Sequence, residues 1–159
     1  MAQRFKREPP VILVDTREQT PYSLVGVPHK QATMKVGDYA LEGHEFGAVV
    51  ERKTMADAYG CVGRGRARFE RCLIKLAACR APCIIIEASL SEFSVPPPYT
   101  KLTAAHAVGS FVSWACQHRI PTWFAGSREA GERIMLRWLT AYWKHRGKDE
   151  YTAAESSSR

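Results

Sequence analysis

The chain has 159 residues, 45% of them hydrophobic, enough for one folded domain with a real core. Lysine and arginine number 23 against 16 aspartates and glutamates, a net charge of +7 that suits a polyanionic partner, nucleic acid before membrane. No apolar run approaches the roughly 20 residues of a membrane span, and the basic opening residues 1–10 lack the apolar centre of a signal peptide. A cytoplasmic location, nucleoid-associated in a bacterium, is expected. The cysteines are Cys61, Cys72, Cys79, Cys83 and Cys116. Without Cys-x-x-Cys spacing, and with His106 and His118 ill placed to assist, they read as reduced small hydrophobes, with neither zinc nor disulfides expected.

Val11-Ile12-Leu13-Val14 reads as a buried central strand. Asp15, Arg17 and Glu18 follow just beyond its carboxyl end, where α/β sheets place ligand sites, although Asp-Thr-Arg-Glu is equally good turn and capping chemistry. Residues 20–30 read as a loop and residues 31–36 as an extended approach to the next element. Gly37-Asp38-Tyr39-Ala40-Leu41-Glu42 and Ala48-Val49-Val50-Glu51-Arg52-Lys53 flank Gly43-His44-Glu45-Phe46 and read as a β-hairpin with that four-residue loop. The expected pairing opposes Glu42 with Gly47, Ala40 with Val49 and Asp38 with Glu51. Tyr39, Leu41, Ala48 and Val50 then share an apolar face, and Asp38, Glu51 and Lys53 the opposite one. Opposed residues have Cβ atoms only about 5 Å apart, so two carboxylates there repel unless a cation intervenes. A divalent metal with Lys53 beside it resolves the repulsion; a hairpin whose outer face is merely wetted is the plainer alternative.

Thr54 reads as the N-cap of one or two helical turns, and Asp57 as a helix-start charge or a residue orienting Arg52 or Lys53. Residues 60–68 combine three glycines with Arg64, Arg66 and Arg68 and read as a mobile loop whose arginines reach phosphates. The helix beyond should bury Phe69, Cys72, Leu73, Leu76 and Ala77 and show Glu70, Arg71 and Lys75 to solvent. Cys83-Ile84-Ile85-Ile86-Glu87 reads as another buried strand, and residues 91–99, with three prolines, as a stiff loop. A helix from Thr103 to Arg119 should bury Ala105, Val108, Val112 and Cys116, with Phe111 and Trp114 nearby. Residues 120–124 give a last strand, and Ser127 caps a final helix to about His145 whose apolar set is Ile134, Met135, Trp138, Leu139 and Tyr142. The expected organisation is a basic arm (1–10), one α/β domain (11–146) with a mixed central sheet flanked by helices, and a polar, disordered tail (147–159).

Asp38, then Glu51-x-Lys53 on the next strand, resembles the constellation of PD-(D/E)xK nucleases. Gly37-Asp38, Glu51-Arg52-Lys53 and Asp57 together resemble the Gly-Asp … Glu-Arg-Lys-x-x-x-Asp signature of the XPF-type structure-specific endonuclease domain. Asp15-Thr16-Arg17-Glu18 looks like that family's Asp-x-Arg-Glu segment, and Gly65-Arg66-Ala67-Arg68-Phe69 and the strand Cys83 to Glu87 follow in its order. The resemblance implies a restriction-endonuclease-like core and Mg²⁺-dependent endonuclease activity, Mn²⁺ substituting, on branched or flap DNA in repair or recombination. It implies Asp38, Glu51 and Lys53 as catalytic residues, with the ion held by Asp38, Glu51 and the Arg52 main-chain carbonyl, and Asp15 and Glu18 as further ligand candidates. Arg17 and Asp57 would support the site, while Arg64, Arg66 and Arg68 would hold DNA.

The resemblance further implies a homodimer through the last helices, where Trp138, Tyr142 and Trp143 would suit an interface. Relatives usually add a helix-hairpin-helix domain, which is not expected here, and often carry glutamine where this chain has Cys72. A non-catalytic DNA-binding or scaffold subunit and a junction resolvase are the competing readings.

Overall fold

A computed structural model describes residues 10–146. All but the last residue of the expected basic arm, and the whole polar tail, lie outside the described residues. The elements in chain order are β1 (Ile12–Asp15), β2 (His29–Ala32), β3 (Tyr39–Leu41), β4 (His44–Lys53), α1 (Met55–Val62), α2 (Arg66–Ala77), β5 (Ala81–Ile86), α3 (Leu90–Phe93), α4 (Ala104–His118), β6 (Thr122–Phe124) and α5 (Arg128–His145). They form one six-stranded sheet in the order β2-β1-β3-β4-β5-β6. β3 is antiparallel to both neighbours, whereas β1–β2, β4–β5 and β5–β6 are parallel, so the expected mixed α/β sheet is present.

The strands are apolar throughout because both faces of the sheet are covered. On one face Leu13, Ala40, Val49 and Ile84 meet α1, α2 and α4 through Tyr59, Phe69, Leu73, Phe111 and Trp114. On the other, Ile12, Tyr39, Val50 and Ile85 meet α5 through Met135 and Leu139, and Trp138, Tyr142 and Trp143 pack on this second core. None of the described helices is long and apolar enough to cross a membrane. All five cysteines are free thiols, with Cys61, Cys79 and Cys83 buried.

The hairpin keeps the expected register at Ala40↔Val49, but its closed end differs. Gly43 adopts φ +74°, so Glu42-Gly43 makes a two-residue turn, Leu41 pairs with His44, and β4 begins inside the expected loop. The surplus residues form a bulge between Ala40 and Leu41. Glu42 therefore does not oppose Gly47: its backbone N–H donates to the Val11 carbonyl at 3.0 Å, and its carboxylate meets Lys30. Gly47 lies against the Tyr142 hydroxyl, where a side chain would not fit.

Other expectations also shift. The extended segment is β2, a short exposed edge strand at His29–Ala32 rather than residues 31–36, and its polar sequence carries no apolar period to reveal it. The glycine- and arginine-rich segment is not a loop: α1 runs on to Val62, α2 starts at Arg66, and only residues 63–65 connect them. Ala77 is exposed and Cys72 half-buried. In α4 the buried face is Ala107, Ser110, Phe111 and Trp114, which leaves Ala105, Val112 and Cys116 exposed. Two large aromatic rings one turn apart offer more apolar area than the small residues of the expected face, and so set its orientation. Within the stiff segment, Ser89 and Glu92 form a capping box that opens the short α3.

Candidate active site

The site is built at the carboxyl ends of β1 and β4 and the start of β3. Gly37, at φ +72°, turns the chain into β3 so tightly that a Cβ there would collide with Val49. Asp38 follows, its backbone N–H donating to the Val50 carbonyl at 2.8 Å and its own carbonyl accepting the Asp15 N–H at 2.9 Å. These bonds tie the ends of three strands together. The Arg52 backbone N–H donates to Asp38 Oδ2 at 2.7 Å. Lys53 Nζ donates to Glu51 Oε1 at 2.6 Å and lies 5.3 Å from the Phe69 ring centre.

Asp38, Glu51 and Asp15 line one cleft of about 320 Å³. Its far wall is α2, which presents Arg68, Arg71, Cys72 and Lys75, the i, i+3, i+4, i+7 face of the helix. Asp38 and Lys53 also line a smaller cleft of about 240 Å³ beside Arg17 and Asp57.

The two central carboxylates are in conflict. Burial and the Glu51 charge push the Asp38 carboxyl up to about 7. Burial works against the Lys53 ammonium, yet Glu51 and Asp38 raise its pKa and keep it protonated. Among the described residues Asp38 accepts at one oxygen only, and Glu51 Oε2 meets nothing stronger than the Cys72 thiol, 3.9 Å away. Burial, and then Glu51, push that thiol up to about 12. Among the described residues, no three His, Cys, Asp or Glu groups converge tightly enough to hold a metal by side chains alone. An ion here would draw on Asp38, Glu51 and main-chain oxygen, the donor set a hard cation accepts.

The remaining acids are neutralised. Asp15 accepts the Arg17 guanidinium at 2.8 and 3.0 Å and the Arg17 and Met34 backbone N–H groups at 2.8 Å each. Burial would raise its pKa, but these bonds hold it below the ordinary value. Arg17 thus orients a carboxylate. Glu18, a proposed ligand, is engaged elsewhere: Arg52 Nε and Nη2 donate to its two oxygens at 3.0 Å each, holding its pKa down despite burial. Asp57 accepts the Thr54 hydroxyl at 2.8 Å while its N–H donates to that oxygen at 3.1 Å, so it caps α1 and makes no bond to Arg52 or Lys53.

The three arginines of the glycine-rich segment diverge. Arg68 enters the acidic cleft. Arg66 is occupied by Glu70 at 3.0 Å, Ser110 Oγ at 3.0 Å and the Trp114 ring at 4.8 Å. Arg64 lines a separate groove. Sequence reasoning missed Arg71 and Lys75, whose spacing with Arg68 was the available signal, and Glu87. The Glu87 carboxylate takes Arg52 at 2.9 Å and Arg128 at 3.4 Å, a pairing across three elements with no local signature.

Comparison with known proteins places the fold. The sequence matches the ERCC4 domain over residues 14–136. No curated protein sequence matches the chain. Among solved structures, XPF from Aeropyrum pernix superposes with a TM-score of 0.68 at 18% identity, covering 83% of this chain and 61% of that one. The same organism's XPF in complex with DNA gives a TM-score of 0.66 at 19% identity, covering 86% of this chain and 66% of that one. The chain therefore spans somewhat under two thirds of these relatives' length. Its mixed sheet and flanking helices have the XPF nuclease fold, and with the profile covering most of its length the chain belongs to the ERCC4 domain family.

Proposed function

We propose that this domain is a metal-dependent endodeoxyribonuclease that hydrolyses phosphodiesters in branched or flap DNA. The observation that carries the reading is the Asp38–Glu51 pair, a half-buried and a buried acid in which burial and then the Glu51 charge lift the Asp38 pKa to about 7 while a protonated lysine stands beside them. Asp15 and Glu18 each have an arginine of their own, whereas Asp38 and Glu51 share the single ammonium of Lys53.

Asp38, Glu51 and the Arg52 main-chain carbonyl would hold Mg²⁺, with Mn²⁺ substituting. Once bound, the ion supplies positive charge to the scissile phosphate and acidifies a water. Lys53, a compact cation, orients the attacking water or offsets charge developing on the phosphoryl oxygens. Arg68, Arg71 and Lys75 hold the DNA backbone along α2 without reading bases, so binding weakens steeply with salt. Arg17 and Asp15 brace the adjoining strand end. A homodimer, the location near DNA and a role in repair or recombination belong to the same proposal, which the DNA-bound relative supports only by fold. A junction resolvase working as a symmetric pair is the variant of this activity that a dimer would permit.

One observation favours a second reading. The 2.6 Å Lys53–Glu51 ion pair and the lack of a three-acid cluster among the described residues also suit a non-catalytic DNA-binding subunit that keeps the fold. Cleavage of flap, splayed-arm and junction DNA in Mg²⁺, Mn²⁺ and EDTA, compared between parent, Asp38→Asn and Lys53→Ala, decides between them. The nuclease reading expects metal-dependent cutting that both substitutions abolish; equal activity in parent and Asp38→Asn removes it. DNA binding with no cutting of any substrate establishes the second reading.

A further inference from the structure

A second basic feature lies beyond α1, away from the acidic cleft. Ala56, Tyr59, Gly60 and Gly63, at i, i+3, i+4 and i+7, form one wall of a groove of about 530 Å³, and Tyr99 to Leu102 form the other. The two cations that line it, Arg64 and Lys101, are exposed and carry no ion pair among the described residues, and no acidic residue lines the groove. The Tyr99 ring is 71% exposed, an unusual position for so large an apolar surface. The backbone that carries it is restrained: three prolines precede it, the Thr100 N–H closes a turn onto the Pro97 carbonyl at 3.1 Å, and the Leu102 N–H donates to Thr100 Oγ1 at 3.1 Å. The Tyr59 hydroxyl is committed to the Phe93 carbonyl at 2.6 Å, so that wall offers no competing polar group. Gly60 faces open space, where a ligand can come close to the helix backbone.

We infer that this groove binds an unpaired DNA strand, one base stacked on Tyr99 and the flanking phosphates held by Arg64 and Lys101. An exposed ring on a restrained backbone, with unpaired cations and no acid, is the composition that sequence-independent single-strand binding requires. α1 starts two residues after Lys53, and adjacent residues of its first turn line the two sites, Asp57 the smaller cleft beside Lys53 and Ala56 the groove, so a strand leaving the cleft along this helix meets the groove. The inference rests on the proposed DNA-cleft reading and adds to it a reason for preferring DNA with a single-stranded arm.

The test is fluorescence anisotropy in EDTA with the full chain, using a plain duplex and the same duplex carrying a single-stranded arm. Tyr99→Ala should weaken binding of the armed DNA about five-fold or more and leave the plain duplex unchanged. Tyr99→Phe, which keeps the ring, should bind as the parent does. Arg64→Ala with Lys101→Ala should reduce the salt dependence on armed DNA by about one to two ions. Equal effects on both substrates, no effect of Tyr99→Ala, or a loss with Tyr99→Phe overturns the inference. Cutting in Mg²⁺ is scored separately. Armed-DNA binding that depends on Tyr99 without any cutting retains the groove and removes the nuclease, whereas intact cutting without that dependence removes the groove alone.

Discussion

Neighbouring residues of β4 lead to two clusters of opposite character. Arg52 points to the α5 side and binds Glu18 and Glu87, with Arg128 as a second cation on Glu87, so two acids meet two bases. Glu51 and Lys53 point to the α2 side, where Asp38 and Glu51 share one nearby ammonium and the Asp38 pKa rises to about 7. One cluster is electrostatically complete and ties the 16–21 turn to the sheet. The other sets two acids against a single ammonium in direct contact, with Arg68, Arg71 and Lys75 of α2 on the far wall, so a cation gains by entering between the carboxylates and a phosphate by meeting the facing bases.

Breaking the complete cluster should have the largest effect on folding. Arg52→Met leaves Glu18 and Glu87 buried without their shared partner and should cost about 3–5 kcal/mol in urea denaturation. A loss below about 1 kcal/mol would mean that the network adds nothing to stability. Breaking the incomplete cluster should instead cost activity: Asp38→Asn and Lys53→Ala should each slow Mg²⁺-dependent cleavage by about 100-fold or more, and Asp38→Asn should do so without loss of stability in urea.

The clusters should also titrate with opposite sign. The Asp38 carboxyl ionises near 7 in the fold against an ordinary 3.8, so between those values the native chain binds more protons than the unfolded one. Metal-free stability from this group is therefore lost as pH rises through that window. Asp38→Asn should be more stable than the parent at pH 8 and indistinguishable from it near pH 4; a difference that does not change with pH contradicts the assignment. Glu18 is shifted downward, so its contribution is present above its ordinary value of 4.5 and lost as pH falls below it. Glu18→Gln should accordingly cost stability at pH 7 and progressively less in acid. The smallest effect separates two arginines on one helix. Arg68→Ala should reduce the salt dependence of DNA binding by about one ion, whereas Arg66→Ala, already paired with Glu70, should leave it unchanged.

The difference between the clusters also explains what could be read from the sequence. Asp38, Glu51 and Lys53 were legible because strand alternation and a hairpin register are local rules, and Ala40↔Val49 pairs as those rules require. The Arg52 network was not legible: Glu18, Glu87 and Arg128 come from a turn, a strand end and a distant helix, and only the assembled fold brings them together. The glycines at 60, 63 and 65 suggest one long loop; Gly63 and Gly65 do lie in the short connection, but Gly60 is helical because packing of Tyr59, Cys61 and Val62 into the core outweighs its weak helix propensity. On α4 the apolar residues fit more than one face at helical spacing, and Phe111 and Trp114 decide which side turns inward.

The central claim is that Asp38 and Glu51 together hold a divalent cation. Calorimetric titration of Mg²⁺ into the full chain, in buffers of different ionisation enthalpy, tests it directly. The account predicts that binding at pH 6 releases close to one proton, that release falls toward zero by pH 8.5 as Asp38 is already ionised, and that Asp38→Asn abolishes both the binding and the release. Undiminished Mg²⁺ binding by Asp38→Asn, with the same proton count as the parent, would contradict it.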